Sequence, residues 1–311
     1  MPPRLALVAG LIALLLVSGC GRSGGDSGGT GSGDLSGRVT ADGSSTVGPF
    51  VTAAAELFRK TEGGVEITVG ISGTGGGFER FCRGETDLSD ASRPIEADEA
   101  GACRKEGVEY VELQVANDGI AVVVNKDNDW ATCLTVAQLN EIWKPGSKVG
   151  SWQDIDPGFP DERLTLAGPG TDSGTFDFFT KAINGEEGAS RTDYNASEND
   201  NVIVQAVSGD KGGLGYFGLS YAEQNQDKLR TLEVDGGSGC VAPSRETVQS
   251  GEYQPLSRPL FVYVKSDALK RPEVKAFLEF MLDRQTEIAG NLFVPLTSEQ
   301  LDKARAELTQ A

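Results

Sequence analysis

The chain has 311 residues, a formal net charge of −18 and no histidine. This length is enough for two lobes with separate cores, and the negative charge argues against a general attraction to nucleic acid or anionic lipid headgroups. The lack of histidine excludes Ser-His-Asp and Cys-His catalysis as well as zinc sites built on imidazole.

The first residues predict export and a lipid anchor. One arginine precedes a short apolar run that ends in small residues, which is typical of an export signal rather than of a membrane span. The sequence VSGC at 17–20 resembles the bacterial lipobox, so we predict a lipoprotein signal peptide over 1–19, cleavage, and lipidation of Cys20. A plain secretory signal with an incidental cysteine is the alternative. The Gly/Ser-rich remainder of 20–36 predicts a flexible tether with a reach of roughly 20–24 Å.

From residue 37 onward, short apolar strands alternate with amphipathic helices, which predicts an α/β fold. The predicted strands are 38–46, which runs into a turn, then 65–70, 119–125, 163–168, 212–218 and 258–264. The predicted helices are 49–60, 134–143, 174–183, 200–209 and 272–283.

Two of these strands, 119–125 and 258–264, are strongly apolar and bracket the middle of the chain. If the chain crosses between the lobes at these two strands, the first lobe is built from two separate segments of the chain and the second lobe from one. We therefore predict a first lobe of 37–124 plus 258–311 and a second lobe of 125–257. A cleft between lobes is where α/β proteins usually bind ligands.

Besides Cys20, the chain has four cysteines, and an even number in an exported protein predicts two disulfides. Four cysteines can form two disulfides in three different connectivities, and the sequence allows all three. We predict Cys82–Cys103, which would join a helix to the segment after it, and Cys133–Cys240, which would close the middle lobe. Their spacing is not that of a CxxC metal site, so no metal is predicted.

Three turns share one chemistry: GSST at 43–46, SGTGGG at 72–77 and TDSGT at 171–175. Each follows a predicted strand, precedes a predicted helix, and supplies hydroxyls and backbone N–H groups at a helix N-terminus. Such ends bind anions because their first amides lack intrahelical partners and the helix dipole is positive there. Each turn alone has the ordinary reading of an N-cap or a loop. Three together predict one shared anion site.

A fourth segment, TDLSDASRPIE at 86–96, adds a cation. Arg93, next to Ser92, would offer a planar guanidinium that matches a tetrahedral oxyanion. The alternative is a surface turn that ends at Pro94 and leaves Arg93 solvated. No lysine, metal cluster or histidine base accompanies these turns, so we predict capture and release of an anion without cofactor or catalysis.

Four segments together resemble, in the right order, the phosphate-binding lipoprotein of the bacterial phosphate-specific ABC transporter: GSSTV, GISGTGGGFERFCRGETDLSDASRPI, GPGTDSGTFDFF and GGLGYFG. The resemblance implies a class II periplasmic-binding-protein fold, with two α/β lobes, a two-strand hinge and the ligand in the interlobe cleft. It also implies a monomer, lipid-anchored outside the cytoplasm, that binds inorganic phosphate with high affinity and delivers it to a membrane permease with its ATPase.

Carried over residue by residue, the resemblance implies phosphate contacts from each turn and from the fourth segment. The implied phosphate-binding residues are Ser45, Thr46, Val47, Ser72, Thr74, Ser92, Arg93, Ser173, Gly174 and Thr175. Some members have an aspartate at the position of Ser92, which accepts the phosphate proton, and an arginine at the position of Pro169. This chain has neither, and so resembles the subgroup whose arginine comes from the other lobe. Asp118 and Asp172 are candidates for the missing acceptor, and each could equally be a turn or cap residue.

Three other functions are compatible with this pattern. The first is a binding protein for another tetrahedral oxyanion, such as sulfate, molybdate or tungstate. The second is a phosphoester-cleaving enzyme that uses a serine or threonine of one turn. The third is a surface lipoprotein whose phosphate site serves sensing or adhesion.

Overall fold

The computed structural model describes residues 35–171, 173–197, 199–290 and 292–310. The predicted signal peptide, Cys20 and nearly all of the predicted tether lie outside the described residues, as does Asp172. Within the described residues, every helix is too short or too polar to cross a membrane.

The described chain alternates strands and helices, as predicted. In its first part the elements are β1 (Ser36–Gly43), α1 (Gly48–Phe58), β2 (Gly64–Ile71), α2 (Gly73–Cys82), β3 (Leu88–Ala91), α3 (Ala97–Lys105) and β4 (Tyr110–Asn125). The middle part has β5 (Cys133–Thr135), α4 (Val136–Trp143), α5 (Trp152–Ile155), β6 (Thr165–Gly168), α6 (Gly174–Asn184), β7 (Asn195–Ala196), α7 (Asp200–Ser208), β8 (Gly213–Gly218), α8 (Leu219–Glu223), β9 (Leu229–Thr231), β10 (Glu233–Asp235), β11 (Cys240–Val241) and α9 (Arg245–Gln249). The last part has β12 (Ser257–Lys265), a 3₁₀ turn (Ala268–Lys270), α10 (Pro272–Asp283), α11 (Gln285–Ala289) and α12 (Ser298–Gln310).

Strand β4 connects the two halves of a mixed sheet whose order is β2-β1-β3-β12-β4-β8-β6-β7, with β9 also on β4. The first half of β4 pairs antiparallel with β12, and its second half pairs antiparallel with β8 and β9. Sequence analysis predicted only 119–125 of this strand. Asn117 and Asp118 are polar, although both are buried in the structure. They interrupt the apolar run in the sequence, so the first half of β4 was not predicted to be part of the strand.

The core lies in two main clusters. One gathers β1, α1, the first half of β4, β12 and the C-terminal helices. The other gathers Ile120–Val124 of β4 with buried residues of the segment 131–256. We propose that these two cores are those of the lobes 37–124 plus 258–311 and 125–257, although Ile120–Val124 pack with the second core.

Local predictions were confirmed in most places, and the bounds of several elements differ from the predicted ones. Both disulfides have the predicted pairing, Cys82–Cys103 and Cys133–Cys240. The segment 134–143 predicts a helix introduced by a Thr cap, and that cap is confirmed; Leu134 and Thr135 also belong to β5 because they pair with β10. Helix α4 therefore begins at Val136, and Thr135 caps it by accepting a hydrogen bond from the Gln138 amide.

Candidate oxyanion-binding site

The first turn connects β1 to α1. The buried Ser44 hydroxyl accepts hydrogen bonds from the amides of Thr46 (3.1 Å) and Val47 (3.4 Å), which shapes the turn. Val47 precedes the helix, and α1 has no side-chain cap. The turn therefore leaves the hydroxyls of Ser45 and Thr46 on the surface of a cavity.

The second turn connects β2 to α2 and is tied to the fourth segment. The oxygens of the Thr74 and Ser92 hydroxyls lie 3.1 Å apart, and the Ser92 amide donates to Thr74 Oγ1 at 3.3 Å. Helix α2 also lacks a side-chain cap, so its first amides are not occupied by the side chain that precedes it. The Ser72 hydroxyl donates a hydrogen bond to the buried carboxylate of Asp42, so the orientation of this hydroxyl is fixed by a contact inside the protein.

The third turn, 128 residues further along the chain, lies against the first. Thr46 Oγ1 donates to the Gly174 carbonyl at 3.3 Å, and Ser173 caps α6 by accepting from the Thr175 amide at 3.2 Å. A Cβ on residue 174 would lie 2.8 Å from the Thr46 nitrogen and would also collide with its hydroxyl. Only glycine permits this approach between the two turns.

The first and second turns border one cavity of about 590 Å³, and the described residues of the third turn do not line it. Of the implied phosphate-binding residues, six line it: Ser45, Thr46, Ser72, Thr74, Ser92 and Arg93. The other four, Val47, Ser173, Gly174 and Thr175, do not line it, although Gly174 contacts Thr46. Helix α6 forms the opposite wall with Asp177, Phe178, Lys181 and Ala182.

Arg258, at the start of β12, is a residue of the cavity lining that sequence analysis missed. Its guanidinium donates to Thr46 Oγ1 at 2.7 Å and lies 3.8 Å from the centre of the Phe178 ring. It also pairs at 3.3 Å with Asp118, its direct partner across the β4–β12 ladder. The side chain is only 15% exposed. Burial lowers the pKa of Arg258, but a guanidinium remains charged at any physiological pH.

Arg93 also lines the cavity, with its guanidinium committed to another group. Its two terminal nitrogens donate to the two carboxylate oxygens of Glu99, each at 2.8 Å. These hydrogen bonds raise the pKa of Arg93. The side chain is 35% exposed, more than twice the exposed fraction of Arg258. Of the two arginines, Arg258 has the drier position and direct contact with an anion turn.

Asp177 of α6, which lines the cavity together with Glu187, is a carboxylate that sequence analysis did not single out. Its Oδ2 accepts a hydrogen bond from the Ser45 hydroxyl at 3.2 Å. Burial, reinforced by the nearby Glu187, raises the pKa of Asp177. Asp118, the earlier candidate, does not line the cavity and is paired with Arg258; burial raises its pKa too. Asp172 lies outside the described residues.

The chemistry of the cavity suits a small oxyanion better than a metal ion. Among the described residues, one group has the geometry to hold a metal ion, namely Cys133, Glu233 and Cys240. Both of its sulfurs are joined in a disulfide, so neither is a thiolate that could bind a metal. The cavity itself offers hydroxyls, helix N-termini and a buried guanidinium, which are the ligands of tetrahedral anions.

Comparison with known proteins identifies the family of this chain. A family model described as a PBP superfamily domain matches residues 28–285. Protein SphX of Synechococcus elongatus is 47% identical over 265 residues, which are 84% of this chain and 78% of that protein. Phosphate-binding protein PstS of Staphylococcus saprophyticus is 39% identical over 301 residues, 95% of this chain and 91% of that protein.

Among solved structures, one described as a possible phosphate binding protein from Planctomyces limnophilus matches with a TM-score of 0.85 and 45% identity. The match covers 89% of this chain and 99% of that one. The predicted periplasmic-binding-protein fold is thereby confirmed, and so is the predicted family. The chain belongs to the PBP superfamily and, within it, to the family of the PstS and SphX proteins.

Proposed function

We propose that this chain binds inorganic phosphate with high affinity outside the cytoplasm and delivers it to the permease of an ABC transporter. The observation that carries the proposal is that the first turn, the second turn and the fourth segment line one cavity together with Arg258, while the third turn lies against the first through Thr46 and Gly174. Their amides and hydroxyls, together with the guanidinium, would replace the water shell of one tetrahedral anion. The name of the PstS relative and the implied properties of the family support phosphate as that anion.

Binding without chemistry is part of the proposal. A serine or threonine nucleophile needs a general base within hydrogen-bond reach, and the chain has no histidine to act as one. The Ser45 hydroxyl does contact the carboxylate of Asp177, but a carboxylate is a weak base for an unactivated hydroxyl. The same contacts serve a binding protein well, because closing the cavity would exclude water and strengthen each hydrogen bond to the anion.

Selection of phosphate over sulfate is the role we propose for Asp177. Near neutral pH phosphate carries at least one proton, whereas sulfate carries none. An ionised carboxylate can accept a hydrogen bond from the P–OH group but would face only lone pairs of sulfate. Asp177 lines the cavity next to Ser45, while Asp118 is committed to Arg258.

Titration calorimetry of the purified protein tests the proposal directly. Phosphate should bind with a 1:1 stoichiometry, and sulfate and molybdate should bind far more weakly. Equal affinity for phosphate and sulfate would point to a general oxyanion-binding protein, and no heat with phosphate would refute the proposal. Turnover of a chromogenic phosphomonoester above a blank would favour the phosphoester-cleaving enzyme instead.

We also propose that the mature protein is a monomer attached to the outer face of a membrane through lipidated Cys20. The position of the lipobox-like sequence and the Gly/Ser-rich segment after it support the anchor. Cell fractionation of the Cys20→Ala variant should recover the protein in the soluble fraction, and continued membrane association would contradict the anchor. Sedimentation analysis of the purified protein tests the monomer.

A further inference from the structure

Five charged side chains line the cavity, and one cation among them has no ion pair with the described residues. Arg93 is held by Glu99 and Arg258 by Asp118, at distances of 2.8 and 3.3 Å. Lys181 has no ion pair with any carboxylate of the described chain; the remaining lining charges are Asp177 and Glu187, both negative. Lys181 is therefore the cation of the cavity whose charge is least neutralised.

Lys181 is more exposed to solvent than Arg258. It is on α6, one helical turn after Asp177, and its residue is exposed to solvent. Arg258, by contrast, is only 15% exposed and contacts Thr46. An incoming anion would meet the field of Lys181 while still hydrated and would reach Arg258 only after losing water.

The net charge of the chain makes such a position consequential. At −18 the protein repels anions overall, and the lining carboxylates Asp177 and Glu187 add to the repulsion locally. A cation at the mouth of a cleft concentrates the field there, and electrostatic steering acts mainly on association rates. We propose that Lys181 is an entrance residue that accelerates association of the oxyanion without holding it once bound. This inference rests on the proposed function.

The size of the effect follows from Coulomb's law. One positive charge about 10 Å from a dianion in water, at an ionic strength of about 10 mM, corresponds to roughly a threefold change in association rate. At about 1 M the Debye length falls to about 3 Å, so the effect should disappear. If Lys181 instead contacted the bound anion, its removal would change the dissociation rate. Steering changes the association rate and contact changes the dissociation rate, so kinetics can distinguish the two roles.

The experiment compares wild type, Lys181→Gln and Lys303→Gln. Lys303, on α12, is 77% exposed and does not line the cavity, so its substitution makes the same change in net charge elsewhere. Association of radiolabelled phosphate is followed by rapid filtration at low and high ionic strength, and dissociation by a chase with unlabelled phosphate. Lys181→Gln should slow association about threefold at low ionic strength only, with unchanged dissociation, and Lys303→Gln should match wild type.

Three results would overturn the inference: equal association by Lys181→Gln and wild type at low ionic strength, a changed dissociation rate in Lys181→Gln, or an equal loss in Lys303→Gln. The last would mean that net charge, not position, controls the rate. Failure of wild type to bind phosphate at equilibrium would instead refute the proposed function, so the two failures are distinguishable.

Discussion

Replacing Arg258 tests which arginine serves the anion. Its guanidinium contacts the Thr46 hydroxyl at 2.7 Å and is enclosed by Phe178 and Asp118. The Arg258→Ala variant would remove the buried cation nearest the first and third turns. Arg93→Ala is the matched comparison, since that arginine lines the same cavity but is already bound by the carboxylate of Glu99.

The expected magnitude follows from burial and pairing. A hydrogen bond between charged groups contributes about 1.5–3 kcal/mol, and truncating one partner of a buried charge pair costs about 2–5 kcal/mol. Arg258→Ala would also leave Asp118 as an unpaired negative charge close to the anion. We therefore expect phosphate affinity to fall by about 3 kcal/mol or more, roughly a hundredfold in Kd. Arg93→Ala should cost less than about 1.4 kcal/mol, or tenfold.

Calorimetry with phosphate measures both variants, and thermal unfolding without ligand shows whether each one folds. The double variant Arg258→Ala with Asp118→Asn separates the two causes, because it removes the cation without leaving a buried carboxylate unpaired. Its affinity should remain well below that of wild type. If Arg258→Ala binds phosphate as tightly as wild type while Arg93→Ala loses a hundredfold, the cation is Arg93 and the reasoning from burial is refuted.

Three further substitutions test other parts of the site and core. Asp177→Asn should lower the ratio of phosphate to sulfate affinity measured by calorimetry, because an amide can also donate to sulfate; an unchanged ratio would place the proton acceptor elsewhere. Gly174→Ala should weaken phosphate binding by about 1.4 kcal/mol or more, since its Cβ would collide with the backbone of Thr46. Gly101→Ala, with no atom near its added Cβ, should bind normally, and equal losses in both variants would contradict this view of the turn. Asp90 is fully buried, its carboxylate oxygens have no hydrogen-bond partner in the described chain, and burial raises its pKa well above the usual range. The folded state then binds the extra proton, so stability should fall as pH rises through the raised pKa. Asp90→Asn should unfold at a higher temperature than wild type at neutral pH and lose that advantage in acid, and an identical pH dependence would be evidence against it.

The turns were predictable because their signal is local. A strand followed by hydroxyls, glycines and a helix is readable within about ten residues, and the same is true of the Cys82–Cys103 disulfide, whose partners are 21 residues apart. Two expectations depended on contacts that local sequence does not contain. Ser72 is in the predicted turn, but its hydroxyl is engaged by Asp42. Thr175 is in another, yet it does not line the cavity.

Arg258 escaped prediction because it is the first residue of the predicted apolar strand 258–264 and looks, in sequence, like a polar residue at the start of a core element. Its importance comes from the antiparallel register of β4 and β12, which places it opposite Asp118, 140 residues away in the chain. Asp177 was missed for a similar reason. Its neighbour Ser45 lies 132 residues earlier, and nothing near either residue marks the contact.

The amino-acid order by itself determined the alternation of strands and helices, the placing of hydroxyls and glycines before helix N-termini, and the absence of imidazole, because each depends on neighbouring residues or on composition. Tertiary structure alone decided which arginine is buried beside the turns, which carboxylates line the cavity and which lysine has no ion pair within the described part of the chain. Those properties depend on strand register and on packing between distant segments, which set how much water and which opposite charge each side chain meets.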